Sequence, residues 1–230
     1  MAETEGSTAA NGRGSNARGD ESRAAIISAA KALFASKGFR GASLASVAEQ
    51  AGLSQPGLLH HFPSKVALLL AVLENRDAED GKVSSARLTR RGIGILAALE
   101  NLVEYNQGRP DIVRLFSVLL GEGLADTHPA HAYMVKRYER IRARIMRNLR
   151  HAEELGEIRP GADLEALASV VVAVMDGLQY QWLLDPDLDM ARSYRVFREL
   201  VTGQLVEPPA AGNGVSGAVQ QDGGASAHAD

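Results

Sequence analysis

The stretch from Ser43 to Phe62 constrains this chain more than any other. Two short segments with helical apolar spacing, one carrying Leu44, Val47 and Ala48 and the other Leu58 and Phe62, flank Gly52, and each follows a serine, Ser43 or Ser54. A serine hydroxyl accepts a hydrogen bond from the first turn of a helix, and proline is tolerated in that turn, as at Pro56. Glycine reaches the positive φ of a tight connection at no steric cost. The pattern predicts two short helices joined by a sharp turn, a helix-turn-helix, with the second helix at about 54–60. Ala48 is small where the helices must approach, and Leu53 can plug the space between them. Leu58 and Phe62 are four apart and share the buried face. Gln55, Gly57, Leu59 and His60 then lie on the opposite face, open to a groove. Glutamine can bond adenine in bidentate fashion, and histidine can donate to guanine or to a phosphate.

Helical spacing continues on both sides. Ile26, Ala30, Leu33 and Phe34 repeat at helical intervals, and Gly38 is expected to end that helix. Pro63 begins another, with Val66, Leu69, Leu70 and Leu73 on one side. Further helices are expected at about 91–107, 110–126, 130–155, 163–184 and 188–206. Gly108-Arg109-Pro110, Thr127-His128-Pro129, Gly156 to Gly161 and Asp185-Pro186-Asp187 separate them. Alternating strand patterns and internal repeats are absent from the sequence. The expected fold is all-α, with about nine helices. An N-terminal three-helix domain at 21–80 would hold the helix-turn-helix, and a helical bundle would fill 81–207. Residues 1–20 and 208–230 are rich in small and polar residues and are expected to be disordered tails. Arg13 and Arg18 in the first tail serve solubility, or form a basic arm reaching a minor groove.

Charge is local. The whole chain carries a net charge of −3, yet between Arg23 and Lys65 five basic residues face a single acid, Glu49. A local positive face is what phosphate contacts require. With no cysteine, the chain can form neither a disulfide nor a cysteine-based metal site. No signal peptide is evident. The most apolar run, Leu164 to Leu184, is interrupted by Glu165, Asp176 and glutamines, so no membrane span is expected and a cytoplasmic protein is. Nucleophile-elbow, phosphate-loop and His-Glu-x-x-His patterns are all missing, so neither an enzyme nor a cofactor is expected.

The first helix ending in Lys37-Gly38-Phe39, the Ala48-x-x-x-Gly52 turn and the run His61-Phe62-Pro63-Ser64-Lys65 together resemble the TetR family of bacterial repressors. The resemblance covers about 60 residues strongly; beyond residue 80 it rests on length and helix count. It places base contacts on Gln55, Pro56, Gly57, Leu59 and His60, and phosphate contacts on Ser43, Ser54 and Lys65. Leu59 departs from the family, which commonly has a phosphate-binding tyrosine there; Leu59 could instead pack on a thymine methyl. The resemblance further implies a homodimer on a near-palindromic double-stranded operator, released by a small-molecule effector. The alternative is a regulator without such a ligand, controlled by a protein partner.

Within the implied regulatory domain, large side chains with a polar tip mark a largely apolar effector cavity between the helices near 91–107, 110–126, 130–155 and 163–184. Tyr105, Phe116, Tyr138, Gln179 and Trp182 are the candidates, with Asp176 as a charged anchor. The same residues could be ordinary core filling, with Asp176 bonding across the dimer. The helix 163–184 is apolar nearly all round and needs cover on both sides; Ala168, Val171, Val172, Met175 and Leu178 are the expected dimer contacts. Asp176-Gly177 at its centre fits either a close approach across a two-fold axis or a kink beside a cavity. Residues 136–150 hold seven basic residues and one acid, Glu139. The stripe of Met134, Tyr138, Ile141, Ile145, Leu149 and Ala152 makes this a core helix with a solvated basic face, or one with an arginine turned inward to meet an anionic effector. His128 and His131 are three apart, a ligand spacing, but Pro129 between them favours a solvated loop over a metal site.

Overall fold

Glycine and proline divide the chain where the periodicity breaks. The computed structural model describes residues 9–86 and 92–206, with side chains over 17–84 and 92–206. The described residues form nine helices and no strand. These are α1 (Ala9–Gly41), α2 (Leu44–Gln50), α3 (Gln55–His61), α4 (Lys65–Ala86), α5 (Gly94–Gln107), α6 (Pro110–Gly123), α7 (His131–Glu154), α8 (Leu164–Leu184) and α9 (Met190–Leu205). The expected tails at 1–8 and 208–230 lie outside the described residues.

The first helix corrects the sequence reading. It begins at Ala9, well inside the segment expected to be a tail. Once Ile26, Ala30 and Phe34 are buried, extending the helix toward the N-terminus needs only propagation, without the cost of a new nucleus. Arg18 on this extension is exposed. The buried face of α4 also differs from expectation: Leu68, Leu69, Val72 and Leu73 are inside, while Val66 is exposed.

Two apolar cores organise the helices. The first joins Ile26, Phe34, Val47, Leu58, Phe62 and Leu69 of α1–α4 to Leu115, Phe116 and Leu119 of α6 and Met134 of α7. The second gathers α5, α7, α8 and α9 around Leu96, Ile145, Leu149, Val171 and Tyr194. The expected division near residue 80 is therefore crossed twice, by α4 running through it and by α6 completing the core of the N-terminal helices. Ion pairs pin the same seam: Glu79 of α4 meets Lys31 of α1 at 3.1 Å and Arg109, just before α6, at 3.2 Å.

By length and mean hydropathy (1.3), α8 is apolar enough to cross a membrane, against the expectation that no run approached a span. In the fold it packs on one side against α6, α7 and α9. The helix is continuous through Asp176-Gly177, so the kink does not occur.

Candidate functional site

The helix-turn-helix is built from its caps. Ser46 N–H donates to Ser43 Oγ at 3.0 Å and Ser43 N–H donates to Ser46 Oγ at 3.2 Å, a reciprocal cap at the start of α2. Gly57 N–H donates to Ser54 Oγ at 3.2 Å, starting α3. Between them Gly52 takes φ 70°, and the chain turns while Leu53 N–H still donates to Ala48 O at 2.9 Å. Ala48, Leu58 and Phe62 are buried, and the Arg23 guanidinium stacks over the Phe62 ring at 4.9 Å. Gln55, Pro56, Leu59 and His60 are exposed along α3, and Gly57 is half-buried. Ser43 and Ser54 are exposed at the two helix starts, where unpaired backbone N–H groups favour an anion.

Lys65 has a structural role that the sequence did not reveal. Its ammonium donates to Arg40 O at 3.3 Å and lies 4.6 Å from the centre of the Phe39 ring. It therefore ties the start of α4 to the end of α1.

That end of α1 is also held from the opposite side. Gly38 has φ 68° and ψ 176°, which breaks the helical path. The distortion presents the Phe39 N–H to Glu122 Oε2 near the end of α6, at 2.8 Å. A Cβ at position 38 would overlap the Glu122 carboxylate. His128 packs edge-on against Phe39, with ring centres 5.2 Å apart, and is buried. Its Nδ1 accepts from Ala130 N–H at 3.2 Å, and burial holds its pKa below the ordinary histidine value. The expectation of a solvated loop at His128 is thus corrected: the turn after α6 folds onto Phe39. The His131 ring is taken up by Gly123 O at 2.9 Å. Among the described residues no cluster of metal-ligating side chains occurs.

A cavity of about 230 Å³ lies between α4, α5, α6, α7 and α8. Of the expected effector residues it is lined by Phe116, Asp176 and Gln179. Tyr105, Tyr138 and Trp182 are absent from its lining. Trp182 belongs to the second core. The Tyr138 hydroxyl donates to Asp176 Oδ2 at 2.6 Å, and the Tyr105 hydroxyl accepts from Arg109. Burial raises the Asp176 pKa, and the Tyr138 bond lowers it in part.

The wall that sequence reasoning missed is α4. Arg76, Asp77, Asp80 and Ser84 face the cavity, opposite Arg137, Arg140 and Arg144 of α7. Arg137 is buried, so α7 does not present a wholly solvated basic face. It donates to Asp77 Oδ1 at 2.7 Å, and Asp77 Oδ2 accepts from the Tyr133 hydroxyl at 2.6 Å. The guanidiniums of Arg76 and Arg137 lie 4.0 and 4.3 Å from the centre of the Phe116 ring. The only local signal was that Arg76, Asp77 and Asp80 continue the helix of the apolar run without a break; which of these charges turn inward is set by the packing of α6 and α7.

Of the expected dimer residues, Ala168, Val171 and Val172 are buried inside the subunit's own second core, while Met175 and Leu178 are half-buried against it. The large apolar side chains left exposed on α8 and α9 are Val170, Tyr180, Leu184, Val196 and Leu200.

A capped helix-turn-helix whose second helix stands free, carried on a helical bundle with a cavity between its helices, is the construction of a DNA-binding transcriptional regulator. Residues 26–72 match the bacterial regulatory proteins of the tetR family, and residues 94–206 match the C-terminal region of BetI-type transcriptional repressors. The chain belongs to the TetR family. The HTH-type transcriptional regulator SrpR of Pseudomonas putida is 28% identical over 195 residues, spanning 84% of this chain and 89% of that protein. Among solved structures, a transcriptional regulator from Saccharomonospora viridis in complex with choline superposes with a TM-score of 0.67 at 23% identity, covering 82% of this chain and 100% of that one. The SmeT–triclosan complex gives a TM-score of 0.70 at 20% identity, covering 81% and 92%. These two share the fold with this chain.

Proposed function

We propose that this regulator is a homodimeric repressor that holds a near-palindromic operator through α3 of each subunit and is released when a small molecule fills the cavity behind α4. One observation carries this reading. The helix that supplies Arg76, Asp77, Asp80 and Ser84 to the cavity begins at Lys65, just past the end of α3 at His61. A ligand that favours a shifted α4 therefore changes the position of the recognition helix, by as much as its affinities for the two states differ. A second connection runs along α6, from Phe116 in the cavity wall to Glu122, which accepts from Phe39 N–H at the end of α1.

The description of the C-terminal match as a repressor region supports the sign of regulation. The choline and triclosan complexes of the two fold neighbours support ligand response. Dimerisation through α8 and α9 fits the apolar side chains exposed there, and Gly177 has open space beside it within the subunit. Two-fold symmetry sets the recognition helices about 34 Å apart, one turn of the DNA duplex. Operator DNA places the protein in the cytoplasm. Gln55, Pro56, Gly57, Leu59 and His60 read bases, while Ser43, Ser54 and Lys65 meet phosphates. Control by a protein partner is the rival reading, and the cavity weighs against it. The test is to select bound fragments from genomic DNA, then to screen small molecules for release of the selected site. A symmetric site with release by a cavity-binding compound is expected; an asymmetric site held by a monomer would overturn the reading.

A further inference from the structure

The chemistry of the cavity is more specific than its position. Its α5 and α8 sides offer Leu99, Leu102, Val172 and Met175, an apolar surface. Its α4–α7 side is polar and holds one more guanidinium than carboxylate: Arg76, Arg137, Arg140 and Arg144 against Asp77, Asp80 and Asp176. Two of the three acids are well partnered, while the buried Asp80 Oδ1 has no hydrogen-bond partner among the described residues. Asp77 is taken by Tyr133 and Arg137, and Asp176 by Tyr138. Arg76 is 2% exposed, and its one ion pair among the described residues, to Asp80, is long at 3.4 Å. Its Nε and Nη1 have no hydrogen-bond partner among the described residues. Arg144 donates to Ser84 Oγ at 3.0 Å and meets no carboxylate among the described residues. Buried donors without acceptors are costly, and in native proteins they call for an explanation. Burial raises the pKa of Asp80 and of Asp176 and lowers that of Arg76, so it disfavours charge on both sides of the balance.

Building on the ligand-released reading above, we propose that the cavity takes a small amphipathic carboxylate, its head group drawn to Arg76 and Arg144 and its apolar tail lying against α5 and α8. A planar carboxylate matches the fork of a guanidinium. The attraction acts in a partly buried site, where charge counts for more than at a surface. The volume of about 230 Å³ lies below the ~300–1,000 Å³ usual for drug-sized ligands, so the tail is short. The ligand bridges the α4–α7 wall to α8, and its head sits beside Phe116, the cavity residue of α6.

The probes are three compounds with one tail: octanoate, octanamide and octylamine. Binding to the full-length protein is measured by calorimetry, and release of the selected operator is measured by fluorescence anisotropy. Octanoate is expected to bind about tenfold or more tighter than octanamide, as hydrogen bonds to a charged group do. Arg144→Gln should shrink that preference while octanamide still binds. Arg76→Gln should abolish it; if that variant does not fold, the Arg144→Gln comparison decides alone. Octanamide or octylamine binding as tightly as octanoate overturns the carboxylate site, as does an unchanged preference in Arg144→Gln or binding by none of the three. If octylamine or octanamide instead binds and releases operator, ligand release survives and only the anion is lost. Octanoate that binds with the expected preference but leaves operator affinity unchanged upholds the site and overturns release.

Discussion

The carboxylate of Glu122, near the end of α6, accepts the backbone N–H of Phe39 at 2.8 Å, just past the point where Gly38 breaks the path of α1. An amide that the bend in α1 exposes is thus satisfied by a side chain from a distant helix, and the helix-turn-helix is fastened to the regulatory bundle there. Glu122→Ala leaves that N–H without its partner and is expected to cost about 1–3 kcal/mol. Gly38→Ala adds a Cβ at positive φ and against the carboxylate, so a loss of at least about 1 kcal/mol is expected. Urea denaturation of both variants checks this; wild-type stability in Gly38→Ala would mean that the α1–α6 joint adjusts freely.

Lys65 is tied to Arg40 O and to the Phe39 ring, and its ammonium is also the phosphate contact expected from the sequence. Lys65→Ala should weaken binding to all DNA sequences alike and reduce the salt dependence of binding by about one unit. Titrations at several salt concentrations measure the slope. An unchanged slope would assign Lys65 wholly to the joint between α1 and α4.

Gln55 and His60 are exposed on α3, opposite buried Leu58. Replacing either by alanine should relax preference at particular base pairs, by about 1–3 kcal/mol of discrimination each. Leu59→Tyr introduces a hydroxyl able to reach a phosphate and should tighten binding without changing the preferred sequence. Selection from a random pool reads all three, and identical sequence preferences for the alanine variants and wild type would remove Gln55 and His60 from base reading.

Leu200 is 67% exposed on α9, and Leu184 is 88% exposed at the end of α8. Leu200→Asp should dissociate the proposed dimer, because a charge buried in an apolar interface lacks a partner. Sedimentation at micromolar concentration is the measurement. A dimer of undiminished strength would move the interface to another face.

Burial holds His128 below its ordinary pKa; Glu122 opposes the shift and Arg40 adds to it. A base with a depressed folded pKa supports the fold above its unfolded pKa of about 6.5 and withdraws that support as the pH falls toward the folded value. Stability should therefore fall from about pH 7 to about pH 5 by more in the wild type than in His128→Asn. Parallel pH profiles of the two proteins would show that His128 does not titrate in this range.

Local chemistry alone was enough for much of this protein. Ser43, Gly52, Ser54 and the four-residue spacing of Leu58 and Phe62 dictated the helix-turn-helix, since caps, positive φ and periodicity act within a few residues. The five long helices after residue 90 were legible to within a few residues, because Gly108-Arg109-Pro110, Pro129, Gly161 and Pro186 break them. Tertiary structure decided which faces meet. Val171 and Val172 read as a partner contact, yet both are buried within the subunit, Val172 at the cavity wall, and the exposed face of α8 is the one carrying Val170 and Tyr180. Nothing near Arg76 in the sequence shows that Phe116 and Arg137, dozens of residues away, surround it. Glu122 and Phe39, separated by 83 residues, are joined by the docking of α6 on α1. Apolar periodicity says that a face must be buried; only the packing of whole helices against one another selects what buries it, and that selection made the cavity and its tie to the recognition helix.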